Sequence, residues 1–140
     1  MITDKQIADL LPHTAPMLMI TELVNYSSDA IHCRCTLAAD NPLLQDERLP
    51  ALAGLELLAQ GAGLLLGLNR TEGKPGGAVA ALSRCAITDC AATVGDTIDV
   101  HARLLGRSAD AAMFEGETRA AERTFFTAAI TLVTSTGDAA

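Results

Sequence analysis

A chain of 140 residues, 49 % of them apolar, is long enough for one domain with its own core. Ten basic residues against seventeen acidic ones leave a net charge of −7, which argues against a general nucleic-acid binder. There is no internal repeat or charge run, and MITDKQIADLLPH lacks the basic start and long apolar run of a secretory signal; a single cytoplasmic domain over 1–140 is expected.

Residues 4–11 (DKQIADLL) read as a short amphipathic helix, with Ile7, Leu10 and Leu11 apolar. Pro12 and Pro16 then stiffen the loop LPHTAP. Residues 17–26 (MLMITELVNY) and 30–38 (AIHCRCTLA) read as two strands around the turn SSD. In the second, Ile31, Cys33, Cys35 and Leu37 alternate with His32, Arg34 and Thr36. The loop ADNPLLQDER leads into a long helix that starts near Pro50 and ends near Asn69, before the breakers of TEGKPGG. Four further strands are expected over 77–89, 96–106, 110–119 and 123–134, with turns at VGD and GRSAD and a hairpin connection in TRAAER. Runs of strands around one apolar helix indicate an α+β fold, an antiparallel sheet curled around that helix.

Two features of this layout bear on chemistry. The cysteines Cys33 and Cys35 would share one strand face about 6.6–6.8 Å apart, too far for an easy disulfide and without the knuckle turns of a zinc site. Reduced, buried thiols are expected for Cys33, Cys35, Cys85 and Cys90, with no bound metal. The second feature is Glu56. Between Ala51 and Leu68 nearly every residue is Ala, Leu or Gly, yet Glu56 and Gln60 stand among them. The segment is long enough to cross a bilayer, but a central carboxylate and a sheet-like remainder make it the buried core helix of a water-borne fold instead. A carboxyl in such surroundings is costly unless it is hydrogen-bonded, neutral or used. Glu56, Gln60, Gly63 and Gly67 fall on one helical stripe, where glycines permit close approach of backbone or ligand.

These motifs resemble the hotdog-fold 3-hydroxyacyl-[acyl carrier protein] dehydratases. LPHTAPMLMITELV is similar to their LPHR-Y-PFLLVDRV opening, NPLL to their NEPFF, and GLELLAQGAGLL to their GVLIIEAMAQAAGLL. The strand, turn and strand of AVAALSRCAI…TVGDTIDVHARLL follow as in the family, so the resemblance covers about residues 10–134. It is greatest to the divergent branch associated with aryl-polyene-type pathways, which has a similar RLPA and GhE-hhAQ pattern, h being apolar.

The resemblance implies an antiparallel sheet of five to six strands wrapped around one long helix, with a short N-terminal helix. It implies dehydration of a 3-hydroxyacyl thioester, carried on acyl carrier protein or coenzyme A, with no cofactor. Glu56 takes the place of the acidic catalytic residue. One departure is plain: the family keeps its histidine base in a Gly-His-Phe-Pro stretch before the helix, whereas residues 42–56 here read PLLQDERLPALAGLE. His13, between Pro12 and Pro16, is the best replacement base; His32 and His101 are expected on outward strand faces. Pro16, Gly54, Leu55 and Gln60 would bind substrate, with the amides around Ala53–Leu55 as donors to the thioester carbonyl. Arg70, Lys74, Arg84, Arg103 and Arg107 are the cations available to an anionic carrier. Two alternatives remain open: a hotdog thioesterase in which Glu56 activates water, and an inactive subunit supporting a related partner. Uncovered strand edges point to a homodimer or a heterodimer with a related hotdog subunit.

Overall fold

Alternation in the strand segments sorts their side chains onto two faces, and the apolar face closes over the long helix. The computed structural model describes residues 7, 18–69, 78–88 and 92–133. The elements are β1 (Glu22–Tyr26), β2 (Ala30–Thr36), β3 (Arg48–Leu49), a 3₁₀ turn (Ala51–Ala53), α1 (Gly54–Leu68), β4 (Ala78–Ile87), β5 (Ala92–Thr93), β6 (Thr97–Arg107), β7 (Ala111–Ala120) and β8 (Arg123–Val133).

Six strands form one antiparallel sheet in the order β1-β2-β6-β7-β8-β4, and β3 pairs with β5 apart from it. This is the expected α+β arrangement. Helix α1 packs across β2, β6, β7 and β8. Leu57, Leu58, Leu64 and Leu65 of the helix are buried against the inner sheet face, which carries Cys33, Val100, Phe114 and Phe126. The 51–68 segment is long and apolar enough to span a membrane, but 67 % of it is buried inside this fold, as a core helix requires.

Close approach of helix and sheet depends on glycines, two of them on α1. A Cβ at Gly54 would lie 2.6 Å from Phe126 Cγ and 2.9 Å from Thr118 Oγ1, and one at Gly61 would lie 3.0 Å from Val100 Cγ1. The expected stripe of Gly63 and Gly67 lies elsewhere on the helix, with Gly67 buried and Gly63 partly exposed.

The structure departs from expectation in four places. The first strand begins at Glu22, not at residue 17. The small β3–β5 pair was not foreseen. The expected loop ADNPLLQDER contains a tight two-residue turn without glycine, Asp46 and Glu47 (φ 53° and 65°) joining Gln45 to Arg48, whereas Ala121 and Glu122 (φ 52° and 64°) close the expected TRAAER hairpin between β7 and β8. Cys85 is exposed, because β4 lies at the sheet edge, whereas Cys33 and Cys35 are buried free thiols. Of the expected helix over 4–11, Ile7 alone is described; it is helical and fully buried. Cys90 lies outside the described residues.

Candidate functional site

Glu56 and Gln60 face the same side of α1 because residues four apart are neighbours on a helix. The Gln60 amide nitrogen donates to Glu56 Oε2 at 2.8 Å. Its carbonyl oxygen accepts from the backbone N–H of Met19 at 2.8 Å and of Ile20 at 3.4 Å. Gln60 is 0 % exposed, so both ends of its amide are held inside the protein. The orientation follows from chemistry: two N–H donors fix the oxygen end, and the NH₂ end then meets an acceptor, the carboxylate. Glu56 itself is partly buried rather than enclosed.

This network also explains the late start of β1. Met19 and Ile20 are 3 % and 1 % exposed, and their amides need partners. They find Gln60 instead of a neighbouring strand. Thr21 makes the transition: its N–H donates to Arg34 O at 2.8 Å, and its hydroxyl accepts from Thr36 N–H at 3.2 Å. The segment leaving LPHTAP is thereby fastened to the helix turn that carries Glu56.

The helix start is preceded by a 3₁₀ turn that uses some of its own donors. Ala53 N–H donates to Pro50 O at 2.9 Å, and Gly54 N–H donates to the carbonyls of Ala51 and Leu52. Two of the amides expected to meet a thioester carbonyl are therefore engaged within the turn. Under Gly54 lies Thr118, fully buried, whose hydroxyl has no hydrogen-bond partner among the described residues.

Of the sequence-predicted site residues, the structure brings Gly54, Leu55, Glu56 and Gln60 together on the first two turns of α1. His13 and Pro16 lie outside the described residues, as do Arg70 and Lys74. Arg84 and Arg103 line a cavity of about 480 Å³ on the outer sheet face, and Arg107 is exposed at the end of β6. The thiols of Cys33 and Cys35 are pushed up to about 12 and 11, chiefly by burial, so neither is a nucleophile near neutral pH.

Sequence reading did not find one polar cluster. On the outer sheet face His32 Nε2 meets Asp99 Oδ1 at 2.7 Å, and Arg34 Nε donates to the same oxygen at 2.9 Å. The His32 and His101 rings stack with centroids 4.1 Å apart and planes 18° apart. Alternation put these residues on outward faces, but only the register of β2 on β6 pairs His32 with His101.

A profile of the ApeP-like dehydratases matches residues 5–140. The chain belongs to the ApeP-like dehydratase family. Among solved structures it is similar to the dehydratase heterocomplex ApeI:P of Xenorhabdus doucetiae, at 26 % identity and a TM-score of 0.84, covering 92 % of this chain and 90 % of that one. It shares its fold with a hypothetical thioesterase with coenzyme A from Streptococcus pneumoniae TIGR4, at 12 % identity and a TM-score of 0.63, covering 81 % and 84 %. The PaaI protein of E. coli is a similar case, at 10 % identity and a TM-score of 0.63, covering 80 % and 81 %. None of the curated proteins matches the chain by sequence. Family and architecture together establish the hotdog fold read from the motifs, with one sheet wrapped on one long helix.

Proposed function

We propose that this ApeP-like chain is a subunit of a cytoplasmic dehydratase that converts a 3-hydroxyacyl thioester, carried on acyl carrier protein or coenzyme A, to the 2-enoyl thioester. A base removes the C2 proton, the C2 electrons form the double bond, and the C3 hydroxyl leaves as water after accepting a proton from an acid. Glu56 is the acid and His13 the base. Gln60 orients Glu56. Leu55 offers its amide to the thioester carbonyl, while Gly54, by its lack of a side chain, and Pro16 help to bind the substrate. No redox step is involved.

One observation carries this reading. Gln60 joins Glu56 to the backbone of Met19 and Ile20, so the chain emerging from the His13 loop is tied to the acid's own helix turn. The family match supplies the reaction class.

The heteromeric relative favours a second subunit. The edge strand β4 suits one: Val79, Leu82 and Ile87 are 39 %, 41 % and 54 % exposed there, and a partner strand would extend the sheet and cover them. The second reading is a subunit that supports a catalytic partner without reacting itself. It is favoured by the missing Gly-His-Phe-Pro stretch, in whose region residues 45–48 form a tight hairpin. A thioesterase remains the third.

Mass spectrometry of products from a 3-hydroxyacyl carrier-protein substrate separates the three, using the chain alone and with a related hotdog subunit. Enoyl product that falls about 10²–10⁴-fold in Glu56→Gln supports catalysis by this chain. Enoyl product that needs the partner and survives Glu56→Gln supports the second reading, and free acid the third. His13→Ala then tests the base: equal activity of variant and wild type rules it out.

A further inference from the structure

The stacked histidines on the outer sheet face play no part in the proposed chemistry, and their surroundings are unusual. One carboxylate oxygen, Asp99 Oδ1, already accepts from His32 and Arg34. It can compensate a proton on His32. A second proton, on His101, would place another cation against His32 at a ring separation of 4.1 Å.

The groups around His101 come from four strands. Glu22 of β1 reaches Arg34 at 3.9 Å. From β2 come His32 and Arg34, and β6 contributes Asp99 and Arg103 on either side of His101. Strand β7 contributes Glu117, directly opposite His101, with Glu115 and Arg119 flanking it. Of the carboxylates, Glu115 is taken by Arg103, and Glu117 accepts from the Thr124 hydroxyl at 3.2 Å while Arg119 offsets its field. Burial, ahead of the neighbouring His32, holds the His101 imidazole below its ordinary value. Water reaches the ring, since His101 lines two cavities of about 480 and 190 Å³ on this face.

We propose that the His32–His101 stack is an acid-sensitive latch on the seam between β2 and β6, which holds while at most one ring is charged and loosens when both are. The seam has a functional reach independent of any catalytic assignment. Arg34 of β2 accepts at its backbone carbonyl from Thr21 N–H, next to the Met19–Ile20 amides that hold Gln60. Loosening β2 therefore slackens the strap on the inner site.

The sign follows from linkage. A histidine with a lowered folded value leaves the unfolded chain binding more protons, so its stabilisation is whole above about pH 6.5 and declines as pH falls below it. The test follows the melting temperature of the full chain from pH 7.5 to 5.0 in wild type and in His101→Gln, with NMR titration of both rings in wild type. Wild type should lose about 3–5 °C more than the variant across that range. His101 should titrate below the ordinary imidazole range. Amide exchange in β1 and β2 of wild type should speed up over the pH range in which His101 titrates. Parallel melting curves, or a His101 ring that titrates at or above the ordinary imidazole value, would overturn the proposal, and the NMR arm decides even where the variant folds poorly.

Discussion

The two polar clusters of this protein sit on opposite faces of one sheet and obey different rules. On the inner face, Gln60 is fully buried and joins segments about forty residues apart through hydrogen bonds alone. On the outer face, Asp99 takes an ion pair from Arg34 and a close polar contact from His32 across adjacent strands, with 25–38 % of each side chain exposed. A buried neutral network is fixed by geometry, and each lost partner leaves an orphan donor or acceptor. A half-exposed ion pair is screened by water and salt, and its loss lets water in. The inner cluster therefore carries architecture, and the outer one carries sensitivity to pH.

Gln60→Leu should separate these regimes most sharply. The side chain keeps its approximate volume but leaves the Met19 and Ile20 amides buried without their acceptor. We expect a loss of about 2–4 kcal/mol in urea unfolding. A loss within 0.5 kcal/mol would mean that the segment finds other partners, and that the inner network is no strap.

Gly54→Ala tests the steric side of the inner face. The new methyl would meet the Cβ and Cγ of Phe126, atoms that cannot swing away as a flexible chain end would. Helix propensity alone favours alanine over glycine by about 1 kcal/mol. Overpacking costs about 1–3 kcal/mol and should win, giving net destabilisation in a thermal or urea melt. A more stable variant would show that the helix start can lift from the sheet without penalty.

How much of this was legible beforehand divides along the same line. Local signals found the helix, all six strands of the main sheet and the Glu56–Gln60 pair, since helical spacing and strand alternation are written in neighbouring residues. The start of β1 was misread because MLMIT looks like a strand, while the acceptor that claims its amides is Gln60, some forty residues on. The tight glycines were misassigned for a related reason: spacing defines a stripe, but only packing decides that Gly54 and Gly61 are the ones pressed against the sheet. The turn at Asp46–Glu47 carries none of the Asn-Gly or Asp-Gly chemistry that would announce it, whereas the hairpin at Ala121–Glu122 was legible from the strands on either side of it. The outer histidine stack required the β2–β6 register, which no local pattern encodes.

On the outer face, Asp99→Asn should be mild at neutral pH, about 0–1 kcal/mol in a urea melt. Burial pushes the Asp99 carboxyl up, but the hydrogen bonds from His32 and Arg34 outweigh it and hold the group below its ordinary value. Such a carboxylate contributes stability that is present above about pH 3.9 and lost as pH falls through its folded value. Wild type and variant should therefore converge in acid and differ most at neutral pH. A loss as large as that of Gln60→Leu would erase the distinction between the two faces.

The last expected effect is of similar size and opposite sign, and concerns a buried inner polar group left out of the network. Thr118 is fully buried between strands and helix start, and its hydroxyl has no hydrogen-bond partner among the described residues. A buried hydroxyl without a partner forfeits the hydrogen bonds it made with water in the unfolded chain. Thr118→Val replaces it by a methyl of nearly equal size, keeps the β-branched shape that a strand prefers, and removes that penalty. We expect stability to rise by about 0.5–1 kcal/mol, read as a higher urea midpoint with unchanged slope. The space beside Gly54 is already tight, with Thr118 Oγ1 2.9 Å from where a Cβ would stand, so the exchange works only if the methyl fits where the oxygen did. A destabilised valine variant would indicate that the hydroxyl does have a partner in solution, and that the inner face holds one more link than the network from Glu56 to Ile20.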